Sequence, residues 1–271
     1  MSCNLCNDVG FHVQPGHTAT ARVCECKREC KTCKGHRFVV KREGLYEVAQ
    51  TCECVATLNR ATMFNRAQIP GHYANKNLGN RSFKRQRHPS IDAAAQAIGR
   101  FIPKDNVKRV TRGLVLMGGY GLGKTHLVCG LAARLTLGHG IPVRFVDYQG
   151  LLASIRATFG KPRDAGGETE HTIVAALTDA SLLIIDDLGR GQGTPWELSI
   201  IDQVISRRYN AEAPLIVTTN YLMEPLASGA ESLEGRIGER LVSRFKAACE
   251  VVHMTGEDYR AVQAMEAGAE A

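Results

Sequence analysis

An apolar run, Gly113-Leu114-Val115-Leu116-Met117, leads directly into Gly118-Gly119-Tyr120-Gly121-Leu122-Gly123-Lys124-Thr125, and residues 126–137 follow with helical periodicity. A buried strand, a glycine-rich turn and a helix in that order form a phosphate loop. The glycines let successive backbone N–H groups turn inward around phosphates, and the positive end of the helix adds to the attraction. In such a loop Lys124 reaches the β and γ oxygens of a nucleoside triphosphate such as ATP, and the Thr125 hydroxyl ligates Mg²⁺. The eight residues Gly118, Gly119, Tyr120, Gly121, Leu122, Gly123, Lys124 and Thr125 are therefore nucleotide-binding candidates, and the chain is expected to be α/β with a parallel sheet.

The rest of that sheet is legible downstream. Val143-Arg144-Phe145-Val146-Asp147 alternates as a strand, residues 148–159 read as a helix, and residues 161–170 as a polar insert. A second buried strand, Ser181-Leu182-Leu183-Ile184-Ile185, ends in Asp186-Asp187-Leu188-Gly189, the Walker B arrangement. A parallel sheet places both acids at the strand's C-terminal edge beside the phosphate loop. Asp186 suits Mg²⁺ binding and Asp187 suits orienting or deprotonating the attacking water; paired Asp at a turn otherwise serve as caps. A helix over residues 196–208 precedes the strand Leu215-Ile216-Val217-Thr218-Thr219-Asn220, and an amide at that strand end is placed to sense the γ-phosphate. Arg240 and Arg244, four apart in Gly238-Glu239-Arg240-Leu241-Val242-Ser243-Arg244-Phe245, fall on one helical face, where surface ion pairing is the alternative use.

Eight of the ten cysteines lie within the first 54 residues, and they repeat: Cys3-x-x-Cys6 with Cys24-x-Cys26, then Cys30-x-x-Cys33 with Cys52-x-Cys54. The offset is 27 residues for the first pair and 28 for the second. Each unit reads as a zinc ribbon in which two thiolates at a tight turn, a short hairpin (residues 11–23 and 37–48) and a second pair close an S₄ site. Two Zn²⁺ ions are expected, with a purely structural role because four thiolates leave no open coordination position. About 60 residues bury too little apolar surface to hold two such units without metal. Whether the ligands pair within each repeat or across the two is open, and His12, His17 and His36 are substitute ligands.

Residues 1–60 thus form the duplicated cysteine module, 61–90 a basic linker with the run Arg81-Ser82-Phe83-Lys84-Arg85-Gln86-Arg87, and 91–271 the nucleotide-binding domain. An Ala-rich helix with Ser90 as N-cap is expected to run to about Phe101. Residues 1–110 carry a net charge of +11 and residues 111–271 of −4. Two tetrathiolate zinc sites, each −2, reduce the first figure to +7, a moderate bias toward acidic partners such as a phosphate backbone. A composition of 44% apolar and 23% charged residues excludes a disordered chain. No run approaches the roughly 18 apolar residues of a membrane span, and no secretory segment is evident, so a cytoplasmic location is expected.

The ordered set of segments resembles the AAA+ ATPases of the bacterial helicase-loader group, the DnaC/DnaI type, with the IstB transposition helpers as close relatives. The resemblance covers roughly residues 69–252. It rests on Ile69-Pro70-Gly71-His72-Tyr73 with Leu78 and Phe83, on residues 118–127 and 183–189, on Arg207-Arg208-Tyr209, and on residues 216–220 and 239–245. It implies ATP hydrolysis at sites between subunits of an ATP-dependent homo-oligomer, with Arg244 as the arginine finger and Arg240 as second candidate. It further implies single-stranded DNA and a replicative helicase as partners, the latter met through the N-terminal region. Only 26 residues follow Phe245, which implies a truncated or absent helical lid and no second sensor arginine. An IstB-like transposition helper is the alternative within the same chemistry, and a zinc adaptor using ATP only as a binding switch is the alternative outside it.

Overall fold

The computed structural model describes residues 3–6, 9–27, 29–76, 78, 88–103, 113–160, 168–225 and 230–261. The chain opens with two antiparallel hairpins, β1 (Phe11–Gln14) with β2 (Thr20–Val23), and β3 (Phe38–Glu43) with β4 (Tyr46–Thr51). The second hairpin runs to Thr51, three residues beyond the expected end, because its register continues to the pair Phe38 and Thr51 beside the cysteines. Helix α1 (Cys54–Ala67) follows at once, so the connector expected from Arg60 is helical as far as Ala67. Ala61, Phe64 and Ala67, spaced i, i+3, i+6, are its buried stripe. The basic run over residues 81–87 lies outside the described residues.

Helix α2 (Pro89–Arg100) is capped by His88, whose Nδ1 accepts from the Ser90 N–H, and not by Ser90. Proline at the first helical position sets that boundary. The Ser90 hydroxyl instead donates to Thr255 O at 2.9 Å, tying α2 to the chain beyond the last strand.

The central sheet has five parallel strands: β5 (Gly113–Gly118), β6 (Arg144–Asp147), β7 (Leu183–Asp186), β8 (Leu215–Thr219) and β9 (Cys249–Met254), in the order β6-β7-β8-β5-β9. Its helices are α3 (Lys124–Ala133), α4 (Tyr148–Arg156), α5 (Glu170–Thr178), α6 (Pro195–Asn210), α7 (Leu233–Ile237) and α8 (Glu239–Ala248). The α3 helix continues into a π-helical turn, Arg134–His139. Alternation along the strands feeds two cores. Leu114, Leu116, Ile184 and Ile216 pack with α1, α2 and α3 on one face, and Val115, Leu183, Ile185 and Val217 pack with α4, α5, α6 and α8 on the other. Among the described residues no helix is long and apolar enough to cross a membrane.

Arg208, fully buried near the end of α6, laces this architecture together. Its guanidinium donates to Leu177 O, Thr178 O, Ala180 O and Pro214 O at 2.6–2.9 Å, holding the entries to β7 and β8. Those strands carry the site residues at their far ends. Replacing Arg208 with Met strands four carbonyls, one buried and three half-buried, and is expected to cost about 3–5 kcal/mol, read as a lowered denaturant midpoint.

Candidate nucleotide site and metal centres

The turn after β5 is shaped by two close approaches. Gly118, at φ +143, would bring a Cβ within 2.1 Å of Met254 O, and Gly121, at φ +71, within 1.8 Å of Asp258 Oδ1. Both glycines are required because the end of β9 and the turn beyond it press against the loop. The Tyr259 N–H donates to Gly121 O at 3.3 Å from the same turn. Lys124, buried at the start of α3, donates to Gly118 O at 2.8 Å and Gly119 O at 2.6 Å, so the side chain that would meet phosphate also holds the loop.

The two acids stand across from it. The Thr125 hydroxyl donates to Asp186 Oδ1 and Oδ2 at 3.1 and 3.0 Å, and Thr218 donates to Oδ1 at 2.5 Å. Thr218 also accepts the Asp187 N–H at 2.9 Å, so β8 fixes both acids. Burial pushes the Asp186 carboxyl up to about 6 and the Lys124 ammonium down to about 8. A cation beside the first and phosphates beside the second oppose both shifts, which suits the pair to ionic ligands. Asp187 sits at φ +59, a left-handed conformation uncommon for a residue with a side chain. Its two oxygens accept from Asn220 Nδ2 and from Arg190 Nη1, the latter at 3.0 Å.

Lys124, Thr125 and Asp187 border a cavity of about 620 Å³, within the roughly 300–1,000 Å³ of small-molecule sites, whereas Gly118, Gly119 and Asp186 do not line it. Tyr120, Gly121, Leu122, Gly123, Lys124, Thr125, Asp187 and Asn220 all line it. His72, Tyr73, Lys76, Arg190, Tyr259 and Arg260 line it as well, and sequence reasoning had given none of them a role there. The Gly71–Tyr73 turn carries His72 and Tyr73, and the Tyr73 phenol lies beside Thr125. Two arginines, Arg190 and Arg260, therefore stand at the cavity of their own chain, and Arg260 occupies ground where no second sensor arginine was expected.

Arg240 and Arg244 are elsewhere. Both lie on α8 and reach Asp202 of α6, at 3.9 and 3.4 Å. Arg244 is 17% exposed and sits over the Tyr209 ring, while Arg240 is 70% exposed. Neither lines the phosphate-loop cavity of its own chain.

The eight N-terminal cysteines gather within each repeat, which answers the open pairing question: Cys3, Cys6, Cys24 and Cys26 form one set, Cys30, Cys33, Cys52 and Cys54 the other. Within each set the Sγ atoms lie within 4.8 Å of one another, and no histidine joins either set. Cys3 to Cys24 and Cys6 to Cys26 are 3.7 and 3.5 Å apart in the first set, and Cys30 to Cys52 and Cys33 to Cys54 are 3.6 and 3.5 Å apart in the second. Four sulfurs at about 2.3 Å from a tetrahedral Zn²⁺ stand about 3.8 Å apart, so the thiols fit that ion. Gly10 N–H donates to Cys6 Sγ and Arg37 N–H to Cys33 Sγ, donors suited to thiolate charge.

A family profile described as "IstB-like ATP binding protein" matches residues 65–267. The chain belongs to that family. Among its relatives, the phage-like element PBSX protein XkdC of Bacillus subtilis is 24% identical over 220 residues, covering 78% of this chain and 79% of XkdC. The replicative helicase loader DnaC of Escherichia coli K12 is 26% identical over 132 residues, and the match spans about half of each protein, 49%. A crystal structure of the DnaC helicase loader superposes with a TM-score of 0.53 at 27% identity, covering 68% of this chain and 99% of that one. A DnaI crystal structure, at 17% identity and a TM-score of 0.53, shares the fold. An AAA+ core of the DnaC/DnaI type thus carries the family's ATP-binding site behind a module of two four-cysteine clusters.

The missed cavity residues had weak signals. Arg260 follows β9, whose Cys-Glu-Val-Val-His-Met sequence becomes a strand only through pairing with β5, and Arg190 follows the Walker B acids in a turn of no fixed pattern. The metal sets yield a direct test. Elemental analysis of reduced, purified protein is expected to find about two zinc ions per chain. Cys24→Ser and Cys52→Ser should each lower that to about one, with unequal consequences. Phe11, Ala19 and Ala21 of the first unit belong to the main core, so Cys24→Ser should also lower the melting temperature of the whole protein more than Cys52→Ser does. Zinc near zero in folded protein contradicts the metal reading.

Proposed function

We propose that the protein is an ATP-dependent loader of a replicative helicase. Its subunits assemble with ATP at their interfaces, engage single-stranded DNA through the AAA+ core, and meet the helicase through the cysteine module. The observation that carries this reading is the division of the catalytic groups. One chain presents Lys124, Thr125, Asp187 and Asn220 at its cavity, with Asp186 bonded behind Thr125, while Arg244 and Arg240 stand on α8 away from it. Such a division suits a site finished by a neighbouring subunit. Likeness to DnaC supports the choice of client.

Lys124 would meet the β and γ oxygens, and Thr125 and Asp186 would hold Mg²⁺, which supplies positive charge against the phosphates. Asp187, steadied by Asn220 and Arg190, would take the proton of the attacking water. Arg244 of the neighbouring subunit would offset the charge growing on the γ-phosphate. Hydrolysis would then release the assembly.

The family resemblance also supports a second reading, a transposition helper of the IstB kind with the same ATPase parts and a different client. Affinity purification from the source cell with ATP present separates the two. The loader reading expects a replicative helicase to co-elute in amounts comparable to the bait; recovery of a transposase instead favours the alternative. An adaptor that uses ATP only as a switch predicts no turnover with either client.

A further inference from the structure

The two cysteine units are near copies, yet only one of them is covered. Their equivalence holds at the level of strand register: Phe11 faces Val23 and Val13 faces Ala21 in the first hairpin, and Phe38 faces Thr51 and Val40 faces Ala49 in the second. In the first unit this face is closed by α1, whose Ala61, Phe64 and Ala67 share its hydrophobic cluster. Asn65 of the same helix caps the outer edge of β2, accepting from Ala21 N at 2.6 Å and donating to Ala21 O at 3.1 Å.

In the second unit the equivalent face is open. Phe38 is 51% exposed and Val40 56%, against 7% for Phe11. Both strands of the second hairpin are accessible along nearly their whole length. Antiparallel pairing alternates inward and outward backbone groups, so Ala49, at the register of Ala21, turns its N–H and C=O to the outer edge. Among the described residues no side chain is given to them as Asn65 is given to those of Ala21. The chain supplies one helix at this place for two hairpin faces. That helix starts at the last ligand of the second unit, Cys54, and packs on the first.

We infer that the open face of β3 and β4 is the docking surface for an amphipathic helix of the client protein, seated on Phe38 and Val40 as α1 is seated on Phe11 and Val13. This rests on the loader reading, in which the client is a replicative helicase. The helix it fits repeats what α1 presents: small and aromatic side chains at i, i+3 and i+6, and a carboxamide beside the middle one to bond Ala49. A second copy of this chain does not supply that helix from its own α1, whose apolar stripe is already buried in its core. Exposed apolar side chains contiguous on one face are the usual mark of an interaction site.

The test uses full-length, zinc-loaded protein and the purified replicative helicase of the same organism, with ATP present. Wild type and Lys41→Asp, which alters the opposite face of β3, are expected to bind alike. Phe38→Asp combined with Val40→Asp should bind at least about 100-fold more weakly while keeping its zinc and its nucleotide affinity. Hydrogen exchange on the helicase should show protection confined to one helix. Wild-type strength in the double variant overturns the docking face and leaves the loader reading intact. Protection in a strand or loop overturns the helical occupant. A self-dimer of the free protein abolished by the same double variant assigns the face to a second copy and overturns the client. Failure of wild type to bind the helicase removes the loader reading and this inference with it.

Discussion

Lys124→Ala is expected to lose nucleotide binding, whereas Asp187→Asn should bind ATP with near wild-type affinity and turn it over roughly 100-fold to 10,000-fold more slowly. The two defects separate because the two side chains do different work. Lys124 is buried at the phosphate loop, held between Gly118 O and Gly119 O and positioned to exchange those carbonyls for phosphate oxygens. The Asp187 side chain takes its hydrogen bonds elsewhere, from Asn220 and Arg190. Asparagine is the right replacement on conformational grounds as well. It tolerates the left-handed backbone that Asp187 adopts at φ +59, so the turn is preserved and only the proton acceptor is lost. Equilibrium titration with a fluorescent ATP analogue and steady-state phosphate release, measured on the same preparations, read the two quantities. Equal loss of binding in both variants contradicts the assignment.

Arg244→Ala is expected to bind ATP nearly as well as wild type, to hydrolyse it about 1,000-fold more slowly or worse, and to regain activity when mixed with Asp187→Asn. In a mixed assembly one interface joins an intact acid site to an intact arginine, although each variant alone has none. Arg244 suits a fixed role because Asp202 and the Tyr209 ring brace it at 17% exposure. Arg240 shares Asp202 but is 70% exposed, so Arg240→Ala should cost less. Arg190 and Arg260 set the competing outcome, since both stand at the cavity of their own chain. Full activity of Arg244→Ala alone assigns the charge to them. A mixture that remains as inactive as its components, with both proteins folded and associated, shows that Arg244 does not act across an interface.

The phosphate loop and the Walker B acids were legible because their chemistry is local: glycines, Lys124 and Thr125 are adjacent in sequence, and an apolar strand announces Asp186 and Asp187. Sheet geometry alone brings Thr125 to within 3.1 Å of Asp186. Thr218 gave no signal, since its role depends on β8 lying beside β7. Arg208 was visible only as part of a resemblance, because its partners are carbonyls of two separate segments, residues 177–180 and Pro214. The cysteine spacing foretold two S₄ sets but not how they divide, which depends on how each hairpin folds back. Likewise Phe11 and Phe38 occupy equivalent places in the repeat, and only the packing of α1 reveals that one is buried and the other open. Helix α1 itself was read as connector beyond Arg60, its stripe of Ala61, Phe64 and Ala67 being too slight to stand out.

The central claim, that ATP bound at Lys124 drives placement of a helicase on DNA, is tested most directly by strand displacement on covalently closed circular single-stranded DNA. A closed circle offers no end for a ring-shaped helicase to thread. With the purified replicative helicase of the same organism, wild-type protein and ATP are predicted to release an annealed oligonucleotide from the circle, and Lys124→Ala to release none above the helicase alone. Equal strand release with and without the protein contradicts the account.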